Sequence, residues 1–297
     1  MTKIGILTDA SCDLPGDIIE KYHISELPVW VIFGDKKYLV FNDRGDISTE
    51  EYYMKLRTVK ELPTTAIPSI AIYQEIIEKC LEENDQVIGI FISKKLTRIS
   101  QNVQLVLKKV DNTDNFTMID STVAAPSLGL LVIKAAQMAQ AGASKGEIIQ
   151  TIQELIPQTK MVLILDTLEN IYRSGRIGAA KKLLGQAFSI KPILHFEDGM
   201  IASGGQIRKR EEVIQRMKFI APILLEHSIS DHFFIWHTRY LKIAEEIRDL
   251  LEKNNEKNIE IRIAEAGPII GGHIGEKALG FHYVGDYKKK WLLKMEK

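Results

Sequence analysis

Residues 87–93 read Val-Ile-Gly-Ile-Phe-Ile-Ser, a continuous apolar run of strand length that stops at a hydroxyl. Such a run, with no alternation of polar residues, is typical of a strand buried on both faces in a parallel sheet. Apolar residues recur at helical spacing before this run, over residues 70–80, and again after it, over residues 103–106. A buried strand between two amphipathic helices predicts an α/β fold.

The first half of the chain continues this alternation of strands and helices. Further strands are predicted over residues 3–7, 29–33, 37–41 and 116–119, and further helices over 17–22, 127–141 and 145–155. The Gly34-Asp35 turn predicts a hairpin between the strands at 29–33 and 37–41, and residues 63–68 are expected to form a loop. Beyond Pro157 hairpins and helices mix, with one hairpin predicted about Asp198-Gly199, and a glycine-rich loop that contains Gly271 precedes a short end. The sequence therefore predicts two α/β domains: residues 1–159, with a largely parallel sheet and flanking helices, and residues 160–297, with a mixed α/β arrangement.

Charge and apolar patterning exclude several classes of protein. Lys plus Arg and Asp plus Glu number 39 each, so the chain lacks the basic surplus that binds nucleic acid or an anionic membrane surface. No apolar run approaches the roughly 20 residues that a membrane span requires, and residues 1–9 lack the pattern of a signal peptide. These features predict a cytoplasmic protein with no membrane segment and no nucleic-acid partner.

Sequence motifs for catalysis and metal binding are also missing. No G-x-x-x-x-G-K-[ST] phosphate loop occurs, and the G-x-S-x-G match at residues 142–146 links two predicted helices, unlike a nucleophile elbow. Cys12 and Cys80 have no metal or redox spacing. His232 and His237 lie five apart on a predicted strand, where their side chains point to opposite faces. We therefore expect no cofactor and no metal site.

Several predicted strands stop at a small hydroxyl or acidic residue. The positions are Thr8-Asp9, Ser93, Asp120-Ser121 and Asp166-Thr167. In open parallel sheets ligands bind beyond the carboxyl ends of the strands, where hydroxyls and helix N-termini can hold an anion. The same residues are also common caps of the helices that follow. At this point both interpretations stay open.

Seven short motifs follow one another along the chain. They are residues 8–14 (Thr-Asp-Ala-Ser-Cys-Asp-Leu), 65–69 (Thr-Ala-Ile-Pro-Ser), 92–97 (Ile-Ser-Lys-Lys-Leu-Thr), Asp120-Ser121, 168–177 (Leu-Glu-Asn-Ile-Tyr-Arg-Ser-Gly-Arg-Ile), Lys191–Leu194 with Asp198-Gly199 and Arg208, and 271–275 (Gly-Gly-His-Ile-Gly). In this order they resemble the motifs of the DegV family, whose characterised members are the fatty-acid-binding subunits of bacterial fatty acid kinase. The resemblance covers nearly the whole chain.

The resemblance implies a two-domain DegV-like fold and a long-chain acyl group buried between the two domains or beside them. The ligand carboxylate would be held by the hydroxyls of Thr65 and Ser93, with His273 and the loop of Gly271 in the surrounding network. Burying about 16 methylenes at ~0.8 kcal/mol each contributes about 13 kcal/mol. This is enough to offset an association cost of roughly 4–15 kcal/mol if the head group is also hydrogen-bonded.

The resemblance further implies that the chain is not an enzyme by itself. A separate ATP-dependent kinase subunit would phosphorylate the bound acid. Its docking needs an exposed basic surface, for which Arg173 and Arg176 are the candidates, because the guanidinium fork recognises carboxylate or phosphate bidentately.

The chain departs from the family pattern around the expected head-group site. Arg98 stands where the family usually has glycine, and Glu276-Lys277 replace Pro-Gly. One alternative is therefore a carrier of a different small anion, with Arg98 or Lys277 as a charged clamp. A second is a stand-alone acyl hydrolase with Ser93 as nucleophile and His273 as base, although no elbow glycines surround Ser93.

Overall fold

The computed structural model describes residues 2–41, 44–59, 61–186 and 190–293. The chain forms two compact units. Unit 1 comprises Met1–Pro157 together with Gly267–Ile270, and unit 2 comprises Gln158–Ala266 together with Gly271–Lys297. In the described part of the chain, no helix combines the length and the apolar character needed to cross a bilayer.

Unit 1 alternates strands and helices. Its strands are β1 (Ile4–Asp9), β2 (Ser25–Leu27), β3 (Val29–Phe33), β4 (Lys36–Phe41), β5 (Arg44–Gly45), β6 (Thr64–Ala66), β7 (Gln86–Phe91) and β8 (Phe116–Asp120). Its helices are α1 (Gly16–Lys21), α2 (Thr49–Leu56), α3 (Ile70–Glu83), α4 (Ile99–Leu107), α5 (Pro126–Gln140) and α6 (Lys145–Leu155). A short 3-10 helix, Ala10–Cys12, follows β1 directly.

The main sheet of unit 1 has the strand order β2-β1-β7-β8, and every pairing in it is parallel. Helices α3 and α5 both pack against β1 and β7, which explains why the run at residues 87–92 is apolar throughout. Gly129 allows α5 to approach the segment after β1, because a Cβ at this position would lie 2.5 Å from Cδ2 of Leu14. The predicted parallel sheet with flanking helices is confirmed.

A second sheet in unit 1 is antiparallel, with the order β5-β4-β3-β6. The predicted hairpin joins β3 to β4 through Gly34, which has a φ of 56°. Residues 63–68 were expected to form a loop, but Thr64–Ala66 form the strand β6 and pair with β3. Pairing satisfies backbone groups of both segments, and β-branched threonines suit a pleated strand.

Unit 2 begins with a strand and ends with a helix. Its strands are β9 (Thr159–Ile164), β10 (Lys191–Glu197), β11 (Met200–Ile207), β12 (His232–His237), β13 (Glu260–Glu265) and β14 (Leu279–Val284). The helices that follow α6 along the chain are α7 (Glu169–Arg173), α8 (Arg210–Glu226), α9 (Leu241–Glu252), α10 (Pro268–Ile274) and α11 (Lys289–Leu293). A 3-10 helix spans Gly178–Gln186.

These six strands form one mixed sheet with the order β11-β10-β9-β14-β12-β13. Only β12 and β13 pair in parallel. One face of the sheet packs residues such as Phe233, Ile235 and Phe281 against apolar residues of α8 and α9. The predicted mixed α/β character of the second half is confirmed, but the sequence pattern did not predict β14, which lies in the interior of the sheet.

The prediction of a glycine-rich loop around Gly271 is wrong. This segment forms the helix α10, which contains Gly271 and His273. Pro268 suits the first helical position, because its fixed φ and its missing N–H fit there. The carboxylate of Asp13 accepts a hydrogen bond from the N–H of Gly267 at 3.2 Å, immediately before the helix. Gly275, after the helix, does have a positive φ of 75°.

Buried histidines give the protein a pH-dependent stability. Desolvation lowers the pKa of His282, which is fully buried on β14, from 6.5 to about 3. It also lowers the pKa of His237 to about 4. A base whose pKa is lower in the folded state binds fewer protons there than in the unfolded chain, so stability falls as the pH drops below about 6.5.

We therefore predict that His282→Gln makes the protein less sensitive to acid. For a pKa of 6.5 in the unfolded chain and about 3 in the folded protein, moving from about pH 7.5 to about pH 5 costs on the order of 2 kcal/mol at this residue. Urea unfolding at both pH values measures the difference. His23→Asn, at an exposed position with a φ of 51° that asparagine tolerates, is the control. An equal loss of stability in wild type and His282→Gln contradicts the prediction.

Candidate functional site

The order of strands in the parallel sheet marks a place for a ligand. The chain leaves β1 towards β2 on one side and leaves β7 towards β8 on the other. Neighbouring strands whose connections run in opposite directions form a topological switch point, and ligands of open α/β sheets bind beyond the carboxyl ends of such strands. Residues 8–9 and 92–93 lie at these carboxyl ends.

Ser93 follows β7 and is fully buried. Its N–H donates to the carbonyl of Val123 at 2.9 Å, and its own carbonyl accepts from the N–H of Leu96 at 2.9 Å. Its Oγ accepts from the N–H of Lys95 at 3.3 Å. A serine hydroxyl can accept one hydrogen bond and donate another, so this residue type suits a carboxylate ligand. The backbone bonds fix the turn that carries it.

The side chains of Thr8 and Asp9 connect β1 to β7 beyond the last backbone pairing of the two strands. That pairing ends at Leu7 and Gly89. Thr8 Oγ1 then donates to the carbonyl of Ile90 at 2.8 Å, and Asp9 Oδ2 accepts from the N–H of Ile92 at 2.9 Å. These side chains therefore hold the two strand ends in place where the strands diverge.

Asp120 performs a similar task at the end of β8. Its Oδ1 accepts from the N–H of Lys94 at 3.2 Å and from the N–H of Thr122 at 3.1 Å. The N–H of Ser121 donates to the carbonyl of Phe91 at 3.0 Å. Asp9 also caps the short 3-10 helix through the N–H of Ser11 at 3.0 Å. The polar residues at the strand ends therefore have two roles. They hold the loops around Ser93 by hydrogen bonds to backbone N–H groups, and Asp9 also caps a short 3-10 helix.

Thr65 lies on β6 opposite Val31, which is buried. Residues directly opposite each other on paired strands share a face, so the Thr65 side chain lies on the buried face of the small sheet. Thr64, its neighbour, is exposed and points to the other face. Thr65 and Ser93 both belong to unit 1.

Arg98 is exposed and lies at the position before α4. Its φ is −103°, which any residue can adopt, so the loop does not require the glycine that the family usually has there. Its carbonyl accepts from the N–H and the side-chain amide of Asn102, both at 3.1 Å. Arg98 is separated from the buried Ser93 by four residues of the chain.

Gly271 and His273 belong to unit 2, on α10. Desolvation, and secondarily the charge of Arg176, lower the pKa of His273 to about 4. The imidazole is therefore neutral near pH 7 and can only take part in uncharged hydrogen bonding there. Gly275, which follows the helix, lies close to Asn170 within unit 2, because a Cβ there would lie 2.1 Å from the side-chain nitrogen of Asn170.

Arg173 and Arg176 flank the end of α7. The N–H of Gly175 donates to the carbonyl of Tyr172 at 3.0 Å, and the N–H of Arg176 donates to the carbonyl of Ile171 at 3.2 Å. This is the hydrogen-bond pattern of a Schellman motif. Gly175 has the required positive φ, 75°. Arg173 also pairs with Glu169 at 2.6 Å, and both side chains are more than half exposed. The backbone of this segment is therefore fixed while the charge of Arg173 faces solvent.

Two further features bear on chemistry. Among the described residues, no group of three or more His, Cys, Asp or Glu side chains is arranged to hold a metal ion. The sequence pattern offered Asp9 only as one of several strand-end residues near an anion or as a helix cap, and it gave Asp13 no role. A signal was available in the sequence, since both stand among apolar and small residues in the motif at residues 8–14.

Comparisons with known proteins cover almost the whole chain. A family model described as "Uncharacterised protein, DegV family" matches residues 3–286. A DegV domain-containing protein of Caldanaerobacter subterraneus subsp. tengcongensis is 33% identical over 287 residues, which are 95% of this chain and 99% of the relative.

Solved structures agree with this assignment. The fatty acid binding DegV family protein of Streptococcus agalactiae has a TM-score of 0.81 and 26% identity, with 97% of this chain and 100% of that chain covered. DegV of Bacillus subtilis, described as a fatty acid binding protein, has a TM-score of 0.82 and 25% identity, with 96% and 100% covered. With the family model matched over residues 3–286 and the same fold throughout, this chain belongs to the DegV family.

Proposed function

We propose that this protein binds a long-chain fatty acid and presents the carboxylate of the acid to a separate ATP-dependent kinase. The observation that carries the proposal is the similarity, over nearly the full length of both chains, to two structures described as fatty acid binding proteins. Thr65 and Ser93 would hydrogen-bond the carboxylate, with His273 and the Gly271 segment of α10 in the surrounding network. Because the partner would use ATP, we expect both proteins in the cytoplasm.

The chemistry of these residues suits a carboxylate that must later react. Hydroxyls and a neutral imidazole satisfy a buried carboxylate through hydrogen bonds without placing a cation against it. A hydrogen bond to a charged acceptor contributes about 1.5–3 kcal/mol. The affinity would then come mainly from the acyl chain, and the head group would stay reactive towards a phosphoryl donor.

The same residues do not favour the hydrolase alternative. A general base works best when its pKa lies near the operating pH. The pKa of His273, lowered by desolvation to about 4, makes this imidazole a weak base at neutral pH. Ser93 also lies in a hydrogen-bonded turn rather than in a strand-to-helix elbow. A binding role therefore explains these two residues better than nucleophilic catalysis does.

The end of α7 supports the second half of the proposal. Tyr172 is half exposed, and the adjacent Arg173 is more than half exposed. Tyrosine and arginine are enriched among the residues that contribute most to protein–protein binding. The fixed backbone of the Schellman motif lowers the entropic cost of ordering these side chains against a partner. Arg173 and Arg176 would meet acidic groups or the phosphates of the kinase complex.

The head-group assignment predicts that Ser93→Ala and Thr65→Ala each weaken palmitate binding by about ten- to a hundredfold, because each removes a hydrogen bond to a charged acceptor. Isothermal titration calorimetry measures the affinity, and thermal unfolding checks that the variants fold. Thr64→Ala is the matched control, since it removes the neighbouring hydroxyl on the opposite face of β6. Unchanged affinity in both site variants would place the carboxylate elsewhere.

The docking assignment predicts that Arg173→Ala/Arg176→Ala binds palmitate within about twofold of wild type but forms acyl phosphate at least about tenfold more slowly with the kinase. The assay contains labelled ATP, palmitate, this protein and candidate kinases from the same organism. Arg248→Ala/Arg262→Ala removes two other ion-paired arginines of unit 2 and serves as control. Acyl phosphate formed without any kinase would refute the presenting role.

A further inference from the structure

Asp9 is a fully buried carboxylate whose two oxygens are both occupied by backbone donors. Oδ1 accepts from the N–H of Ser11 at 3.0 Å, and Oδ2 accepts from the N–H of Ile92 at 2.9 Å. Among the described residues it has no ion-pair partner. Burial of a carboxylate without a cation is costly, and desolvation raises its pKa. Capping of the short 3-10 helix requires only one of its two oxygens.

The second oxygen, Oδ2, accepts a hydrogen bond from the N–H of Ile92, the residue that precedes Ser93. Backbone pairing between β1 and β7 has already stopped at Leu7 and Gly89, so the peptide of Ile92 lies beyond the ladder. The N–H of Ile92 is held by its hydrogen bond to Asp9. The next N–H along the chain, that of Ser93, is held by its hydrogen bond to the carbonyl of Val123. The two bonds together determine the direction of the backbone where the Ser93 side chain begins.

We propose that Asp9 is a positioning residue that fixes the Ser93 hydroxyl for the carboxylate of the ligand; this inference rests on the proposed fatty-acid binding. Asp9 does not itself contact the ligand. It acts through the N–H of Ile92, across 83 residues of sequence.

An aspartate suits this role better than other acceptors of similar size. Both of its oxygens accept hydrogen bonds, so it can hold two N–H groups at once. Asparagine has the same shape but only one accepting oxygen. Its NH₂ group would face one of the two N–H donors and could not accept a hydrogen bond from it. Asp9→Asn therefore removes one of the two bonds with little change in volume.

A double-mutant cycle with palmitate as the probe tests the inference. Wild type, Asp9→Asn, Ser93→Ala and the double variant are compared by titration calorimetry. We expect Asp9→Asn to weaken palmitate binding by about tenfold when Ser93 is present, and by less than about twofold in the Ser93→Ala background. Equal losses in both backgrounds would reduce Asp9 to a general structural role and overturn the inference. A gain of affinity in both would show simple charge repulsion and also overturn it.

Two further variants keep the test decisive. Thr8→Val removes the neighbouring side-chain bond between β1 and β7, to the carbonyl of Ile90, and its effect should be equal in both backgrounds. Asp9→Glu retains two acceptor oxygens, so it should weaken palmitate binding less than Asp9→Asn does when Ser93 is present. If Asp9→Asn fails to fold, Asp9→Ala, which removes both acceptors, takes its place in the cycle, and equal losses of affinity in both Ser93 backgrounds again overturn the inference. Failure of wild type to bind palmitate would instead refute the proposed function.

Discussion

Backbone polar groups at the carboxyl ends of β1 and β7, beyond the point where the two strands stop pairing, must be satisfied in another way. Backbone pairing between the two strands stops at Leu7 and Gly89. Thr8 and Asp9 replace it with side-chain hydrogen bonds to Ile90 and Ile92. Buried polar groups without partners would cost about 1–3 kcal/mol each. The side-chain hydrogen bonds of Thr8 and Asp9 avoid this cost at the strand ends that no longer pair with each other. The position of Ser93 depends on the bond between Asp9 and the N–H of Ile92.

The proposed function assigns ligand binding and recognition of a partner to different residues. In the proposed site the carboxylate would be held by uncharged groups, namely the hydroxyls of Thr65 and Ser93 and the imidazole of His273, which is neutral near pH 7. Charged arginines occur at the end of α7, on a backbone fixed by a Schellman motif. A cation against the carboxylate would trap it as an ion pair, whereas exposed cations contribute to association with a partner. The division fits a protein that carries a substrate for another enzyme.

Local sequence signals predicted the fold class well. Continuous apolar runs such as residues 87–92 mark buried strands, and the Gly34 and Gly199 turns mark hairpins, because these signals depend only on neighbouring residues. Three features could not be read this way. The glycines of α10 are poor helix formers, and the helix begins where Asp13 meets Gly267, 254 residues away in sequence. The strands β6 and β14 form because their backbone pairs with β3, β9 and β12. The role of Asp9 depends on a contact with Ile92, which the sequence alone does not reveal.

The central claim is that this chain carries a fatty acid, and organic extraction of the purified, folded protein followed by mass spectrometry tests it most directly. A heat-denatured extract of an equal amount of an unrelated protein from the same cells provides the background. The account predicts about one long-chain fatty acid per protein molecule. An extract with no acyl species above background, together with no thermal stabilisation of the protein by added fatty acid, would contradict it.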